Sequence, residues 1–222
     1  MIVRDNLISV KEEIPEGVEL VAVSKFHPAE MILEAYEAGQ RCFGESRVQE
    51  LVGKVEALPS DIRWHFIGHL QTNKVRKLIG KCSLIESVDS EKLLQLIDSE
   101  SRKAGVMSRV LMQVHVAKEE TKFGFYPEEL LEFFRKRKFE TLTNTHICGV
   151  MGMASNTDDM DRVRTDFRNI ASVFRAVAED ESFGLRGFDS LSMGMSGDWR
   201  IAVEEGANIV RIGSAIFGPR QY

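Results

Sequence analysis

The sequence predicts an α/β protein whose eight parallel strands close into a single (β/α)8 barrel of the TIM type. Short apolar segments alternate with amphipathic helical segments along the whole chain, and eight apolar segments are present. The length of 222 residues suits one barrel. Because no stretch rich in glycine, serine and proline divides the chain, we expect one domain over residues 1–222.

The strands are predicted where short apolar runs lie between turn-forming residues. These runs are 19–24, 41–43, 63–67, 84–87, 108–114, 147–151, 190–193 and 208–212. Strands that alternate with helices in this way pair in parallel, with the helices outside the sheet. An open doubly wound sheet is the competing fold, but the dinucleotide-binding glycine fingerprint that it often carries is absent after Val23.

The helices are predicted from apolar positions that recur every three to four residues. In the segment 90–104, for example, Leu93, Leu94 and Ile97 form one apolar stripe, while Arg102 and Lys103 face water. The predicted helices are 28–38, 46–57, 72–79, 90–104, 127–136, 160–179 and 197–205. An extra amino-terminal helix at 3–13 precedes the first strand, and we expect it to close the bottom of the barrel.

The composition argues against several classes of protein. A net charge of −5 does not suit a nucleic-acid-binding surface, which needs a basic face. The amino terminus lacks the apolar core of a signal peptide and no segment is long enough to span a bilayer, so we expect a cytoplasmic protein without a membrane partner. Cys42, Cys82 and Cys148 are odd in number and widely spaced, which indicates buried free thiols rather than a disulfide framework or a metal site.

The run VAVSK at 21–25 places a lysine at the carboxyl end of an apolar strand. Barrel proteins keep their chemistry at this end of the strands, and a lysine amine can form a Schiff base with an aldehyde. Many strands also end in a lysine that only reaches solvent. The interpretation of Lys25 as a Schiff-base lysine therefore needs evidence from another part of the chain.

Two glycine-bearing segments near the end of the chain give that support: SMGMSGDW (192–199) and VRIGSAIFG (210–218). They follow the seventh and eighth predicted strands, where barrels commonly bind phosphate. Gly194 and Gly197 let the backbone approach an anion, and Ser196 can donate its hydroxyl or cap the next helix. Gly213 leaves room for a phosphate, and its N–H group and that of Ser214 can point at it. Glycine turns with serine caps are the alternative, but a phosphate site together with a Schiff-base lysine suggests pyridoxal 5′-phosphate (PLP).

Arg211 is a charged residue within the otherwise apolar last strand. A buried charge needs a partner. The ring nitrogen of PLP is one candidate, because an arginine keeps its proton at neutral pH and would leave this nitrogen unprotonated. The ring would then be a weaker electron sink. An internal ion pair with Asp189 or Glu45 is the alternative.

The chain resembles the pyridoxal-phosphate homeostasis proteins (the YggS/PROSC-type family) nearly from end to end. Further support comes from FGESRVQE (43–50), WHFIGHLQTNK (64–74), ETKFGF (120–125) and GVMGM (149–153). The resemblance implies a PLP fold-type III barrel, similar to the amino-terminal domain of alanine racemase. It implies that Lys25 carries PLP as a Schiff base and that Arg211 faces the ring nitrogen. It also implies that Ser196, Gly213 and Ser214 hold the phosphate.

Four further positions are candidates around the cofactor. Family members often carry asparagine where this chain has Ser46, so this serine either lies near the cofactor ring or caps the helix that follows. His65 either reaches the barrel interior near the cofactor or is a satisfied core histidine. Met193 is expected to pack flexibly around the pocket with other methionines. Lys122 is either a second amine that takes up cofactor or a solvated loop lysine.

Three functions are compatible with these features. The resemblance implies a carrier that holds PLP, buffers its aldehyde and hands it to apo-enzymes, with indirect effects on amino- and keto-acid pools. The second function is a fold-type III PLP enzyme, an amino-acid racemase or decarboxylase. Such enzymes take a second acid–base group from another domain or subunit, which we expect this chain to lack; Tyr36 and Tyr126 are isolated candidates. The third is a Schiff-base aldolase that uses Lys25 on a sugar phosphate. We expect the protein to be the carrier and to show no robust catalytic turnover. We also expect it to be a monomer or a weak dimer.

Overall fold

In the computed structural model, which describes residues 2–116 and 123–219, eight parallel strands pair in chain order and close into a barrel. Closure is made by the last strand against the first, where Leu20 pairs with Val210 and Val21 with Arg211. The predicted barrel is thus confirmed, and this pairing excludes the open doubly wound sheet. The strands are β1 (Glu19–Val23), β2 (Cys42–Glu45), β3 (Arg63–Phe66), β4 (Leu84–Val88), β5 (Ser108–Val114), β6 (Thr145–Gly152), β7 (Ser190–Ser192) and β8 (Ile209–Ile212).

Helices follow the strands and form the outer layer. The segment predicted as one helix over 72–79 is divided between a 3-10 turn (Thr72–Lys74) and a single α-helical turn. In the described part of the chain the α-helices are α1 (Ile2–Glu13), α2 (Ala29–Glu37), α3 (Val48–Ala57), α4 (Val75–Leu78), α5 (Glu91–Ala104), α6 (Pro127–Arg135), α7 (Met160–Ala178), α8 (Trp199–Glu204) and α9 (Ser214–Phe217). None of them is both long enough and apolar enough to cross a membrane.

The position of α1 differs from the prediction. Its main contacts are with α2 and α9, and the Asn6 side-chain amide donates to the carbonyl oxygen of Ile216 at 3.1 Å. Val3 and Leu7 are buried in the layer between helices and barrel. The helix therefore completes the outer layer beside β1 and β8 and does not close the bottom of the barrel. The reason is that α9 has only four residues and leaves this part of the barrel wall uncovered.

The second strand extends further than its apolar run. The apolar run predicts this strand at 41–43, but Gly44 and Glu45 continue the ladder by pairing with His65 and Phe66. A glycine and a glutamate are unfavourable in strands by propensity. Here β3 pairs with both residues and β1 pairs with Gly44, so tertiary structure overrides propensity.

The apolar core has two parts. Val21, Cys42, Leu84, Leu111, Cys148, Met151 and Ile209 form a small cluster inside the barrel. A larger cluster fills the layer between strands and helices. Cys42, Cys82 and Cys148 are free thiols; the first and last are buried, and Cys82 is half-buried.

Candidate functional site

A cavity of about 280 Å³ lies at the carboxyl ends of the barrel strands. Lys25, Ser196, Arg211, Gly213 and Ser214 all line it, so the structure brings together five of the eight residues that the sequence suggested for a cofactor. The cavity is placed where barrel proteins bind their ligands. The other lining residues are Val23, His27, Ile67, Met153, Met195, Gly197 and Gly218.

Lys25 lies on a tight turn that directly follows β1. The next residue, Phe26, has a φ of +67°, a conformation that few residues other than glycine adopt. The turn is held by hydrogen bonds from Phe26 N to Glu50 Oε2 (3.0 Å) and from His27 N to the carbonyl oxygen of Ser24 (3.1 Å). The guanidinium of Arg47 also lies over the Phe26 ring. The backbone on both sides of Lys25 is therefore fixed.

A buried ion pair supports this turn from the outer side of the barrel wall. Glu45 is fully buried, and its Oε1 accepts hydrogen bonds from Ser24 Oγ (2.6 Å) and Lys54 Nζ (2.7 Å). Lys54 Nζ also donates to the Ser24 carbonyl oxygen at 2.9 Å. Burial raises the pKa of Glu45, and Lys54 opposes this rise. Ser24, the residue before Lys25, is thus held through both its side chain and its backbone.

The phosphate-side residues lie on two loops that touch each other. Gly213 N donates to Ser196 Oγ at 3.3 Å, which connects the loop after β7 to the loop after β8. The predicted capping role of Ser196 is wrong: α8 begins after Asp198, which caps it without a side-chain hydrogen bond. The serine hydroxyl instead lies in the cavity wall. Because α8 has six residues and α9 four, their dipoles contribute little, and an anion would be bound by hydroxyl and backbone N–H groups.

Glycine is required at two positions of these loops, and the atoms that a side chain would meet differ between them. Gly194 has a φ of +90°, and a Cβ there would lie 2.7 Å from the Ala202 Cβ and 2.8 Å from the Trp199 Cα. Its role is to pack the loop against α8, which is a correction to the prediction that it approaches an anion. A Cβ on Gly213 would lie 3.0 Å from the Val23 carbonyl oxygen, so β1 and β8 meet closely at the cavity wall.

Arg211 is 4% exposed and lines the floor of the cavity. Its Nη1 donates to Ser192 Oγ (2.5 Å) and lies 3.6 Å from Glu86 Oε2, and its Nη2 donates to the Gly152 carbonyl oxygen (2.9 Å). The predicted internal partners, Asp189 and Glu45, are therefore wrong. The partner is Glu86, because β4 faces β8 across the barrel interior.

His65 completes the same buried network. Its Nδ1 lies 2.7 Å from Glu86 Oε1, and Glu86 Oε2 accepts from Ser192 Oγ at 2.6 Å. Burial alone would lower the pKa of His65, but its neighbours Cys42 and Glu86 raise it to about 10. Burial would raise the pKa of Glu86, but His65, Arg211 and Ser192 lower it below its usual range. His65 is thus a core histidine satisfied by Glu86, which is the second of the two predicted alternatives, and it does not line the cavity.

Two other predicted positions lie outside the cavity wall. Met193 is fully buried in the layer between barrel and helices, because it follows Ser192, which faces the barrel interior. Ser46 lines a separate surface groove near His69 and Lys74. It is not the cap of α3 either, because that helix begins at Val48 with Arg47 as its capping residue.

The titratable side chains of the described lining are Lys25, His27 and Arg211. His27 was not singled out from the sequence, and its ring stacks on Phe217 with 5.1 Å between centroids. The two tyrosines considered as acid–base groups do not line the cavity: Tyr36 binds Asp61, and Tyr126 is 56% exposed. Lys122 lies outside the described residues.

The fold also brings together three possible metal ligands that the sequence spacing did not indicate. Atoms of Glu19, Cys42 and His65 lie within 4.8 Å of one another. Glu19 is already paired with Arg63 at 2.6 Å, and His65 with Glu86. These ion pairs account for the cluster without a metal ion.

Comparison with known proteins places the chain in a family. Residues 2–221 match the family model described as alanine racemase, N-terminal domain. The pyridoxal phosphate homeostasis protein of Aquifex aeolicus is 42% identical over 205 residues, which are 92% of this chain and 88% of the relative. The human protein of the same name is 39% identical over 213 residues, covering 91% of this chain and 77% of the relative.

Solved structures agree with this match. PipY of Synechococcus elongatus PCC7942 with PLP bound has a TM-score of 0.88 and 35% identity, covering 97% of this chain and 100% of PipY. Alanine racemase from E. faecalis has a TM-score of 0.74 at 20% identity, covering 98% of this chain and 57% of the racemase, and it supports the fold alone. The chain belongs to the pyridoxal phosphate homeostasis proteins, within the family of the alanine racemase N-terminal domain.

Proposed function

We propose that this protein holds PLP, bound through Lys25 in the cavity at the carboxyl ends of the strands. One observation carries the proposal: an amine, two hydroxyls and a buried guanidinium converge in one cavity of about 280 Å³. That volume is close to the lower end of the range of small-molecule sites, about 300–1,000 Å³. The relatives named pyridoxal phosphate homeostasis proteins, and PipY with PLP bound, support the same ligand.

The side chains in the cavity fit the three ends of this cofactor. Lys25 would hold PLP through its amine, because the aldehyde that PLP supplies when bound can condense with an amine with release of water. Ser196, Ser214 and the backbone at Gly213 form the side of the cavity that would bind the phosphate. Arg211 is a donor that stays charged, so it would bind an unprotonated ring nitrogen from the floor.

The biological role in this proposal is storage and delivery of PLP in the cytoplasm, with transfer to apo-enzymes. It is supported by the names of the relatives, which describe homeostasis and not a reaction. Arg211 supports it as well. A ring nitrogen that faces a permanent cation is a poor electron sink, which disfavours carbanion chemistry at an amino acid.

Titration of apo-protein with PLP and with unphosphorylated pyridoxal tests the binding mode. We expect much tighter binding of PLP, because charge-assisted hydrogen bonds to the phosphate add to the covalent link. Ser196→Ala should weaken PLP binding about 10- to 150-fold, which corresponds to loss of one hydrogen bond to a charged group. Ser172→Ala, at an exposed serine on α7, is the matched control. Equal affinity for both aldehydes, unaffected by Ser196→Ala, would refute the phosphate site.

An amino-acid racemase is the second candidate, and the presence of His27 in the cavity wall favours it. Together with Lys25, His27 would give the cavity two acid–base groups. Exchange of the amino-acid α-proton in deuterated water distinguishes the two functions. We expect no exchange approaching an enzymatic rate of about 1 s⁻¹. Fast exchange that is lost in His27→Ala would establish the enzyme instead.

A further inference from the structure

One fully buried carboxylate, Glu86, connects both sides of the barrel interior beneath the cavity. Its two oxygens serve different partners: Oε1 binds His65 Nδ1 at 2.7 Å, and Oε2 accepts from Ser192 Oγ at 2.6 Å. Ser192 Oγ in turn accepts from Arg211 Nη1. The carboxylate therefore joins β4 to β3 on one side and to β7 and β8 on the other.

The guanidinium of Arg211 is fixed at two points by this arrangement. Nη1 is held by Ser192, and Nη2 is held by the Gly152 carbonyl oxygen on β6. A planar guanidinium that is bound at both terminal nitrogens cannot rotate. An arginine has five N–H groups, and these bonds use two of them. Arg211 also lines the cavity, so its guanidinium is held in this fixed orientation at the cavity floor.

The orientation of the Arg211 guanidinium depends on the negative charge of Glu86. Arg211 is 4% exposed, and an arginine this deeply buried is costly without an anion. Glu86 is the carboxylate that lies within ion-pair distance of it among the described residues. The hydroxyl of Ser192 donates to Glu86, so its lone pairs are presented to Arg211. Without Glu86 as acceptor, the Ser192 hydroxyl would not have a fixed orientation, and it would then not fix the orientation of Arg211.

We propose that Glu86 is a positioning residue that fixes Arg211 against the ring nitrogen of the ligand, so that the cavity selects a phosphorylated pyridine aldehyde over its carbocyclic counterpart. This inference rests on the proposed binding of PLP. It adds to that function a residue that does not touch the ligand and a basis for selectivity at the ring nitrogen.

The test compares two ligands that differ in a single ring atom. PLP and the benzene analogue, in which C–H replaces the ring nitrogen, are titrated into apo-protein while absorption is recorded. The wild-type protein should prefer PLP by about tenfold or more, the effect of one hydrogen bond to a charged group. Glu86→Gln should lose most of this preference and shift the absorption band of bound PLP, while its affinity for the analogue stays within about twofold.

Two further variants control the experiment. Ser192→Ala keeps both charges but removes the hydroxyl between them, so it should also reduce the preference; it provides the test if Glu86→Gln does not fold. Asp98→Asn neutralises another buried carboxylate, which binds backbone N–H groups at Thr143 and Asn144, and it should keep the wild-type preference.

The outcomes separate the inference from the proposed function. If the wild-type protein binds neither ligand, the proposed function is wrong. If it prefers PLP and both Glu86→Gln and Ser192→Ala keep that preference, Glu86 does not position Arg211. Equal loss of affinity for both ligands in Glu86→Gln would show a purely structural role and would also overturn the inference.

Discussion

Lys25 is positioned by residues on the side of its strand that faces away from the cavity. The Glu45 carboxylate and the Lys54 ammonium form a 2.7 Å ion pair, and both bind Ser24. The Lys54 side chain is 11% exposed and that of Glu45 is fully buried. A charge pair this deeply buried depends on both partners, so loss of one leaves the other without compensation.

We therefore expect Lys54→Met to destabilise the protein by about 3–5 kcal/mol, because it leaves the Glu45 carboxylate buried and unpaired. Lys103→Met is the matched control, since Lys103 pairs with Glu100 at the surface with 67% of its side chain exposed. That change should cost at most about 1 kcal/mol. Urea denaturation of the apo-proteins measures both values. Equal costs would show that the buried pair does not hold the turn.

The sequence revealed the residues of the cavity wall better than those behind it. Lys25 ends an apolar strand and Arg211 interrupts another, so both stand out against their neighbours. Glu86 does not, because its partner Ser192 is 106 positions away and meets it only when the barrel closes. The sequence predicts Met193 near the pocket, but this residue lies between the barrel and the helices. The inward-facing Ser192 decides which side chains of β7 face the interior, and the sequence does not show that Ser192 faces inward.

The loop between β7 and α8 is the element that shapes the phosphate side of the cavity. Near the start of this loop, Gly194 has a φ of +90°. Met195 N donates a hydrogen bond to Asp198 Oδ1 at 2.6 Å. Ser196 lies between these points, so its hydroxyl position follows from the course of the loop. A side chain at Gly194 would collide with α8 at Trp199 and Ala202.

Gly194→Ala should therefore destabilise the protein more than Gly184→Ala. Both glycines have a positive φ, but a Cβ on Gly184 meets no atom within 4 Å. The Gly184 variant should cost only the backbone penalty, about 1–2 kcal/mol. The Gly194 variant adds the collision and should also weaken PLP binding through displacement of Ser196. Thermal unfolding and PLP titration of the two variants check this, and equal behaviour would contradict it.

For the whole molecule, the number of strands and the absence of a dinucleotide-binding fingerprint after Val23 together predict the barrel. Eight apolar runs separated by helical segments have few other arrangements, and β8 does return to β1. The ends of elements were less predictable: β2 continues through Gly44 and Glu45 because its neighbours pair with them. The position of α1 in the outer layer depends on the length of α9. The sequence pattern did not indicate that α9 has only four residues.

We propose Lys25 as the amine to which the cofactor is attached. Reduction of the PLP-loaded protein with borohydride, followed by proteolysis and mass spectrometry, tests it most directly. We expect one dominant modified peptide, which carries the reduced adduct on Lys25, and no such peptide in Lys25→Ala. This variant should still unfold cooperatively, because the Lys25 side chain lies in a cavity wall and not in the core. An adduct on a different lysine, or one distributed over several lysines with Lys25 unmodified, would show that Lys25 is not the attachment site.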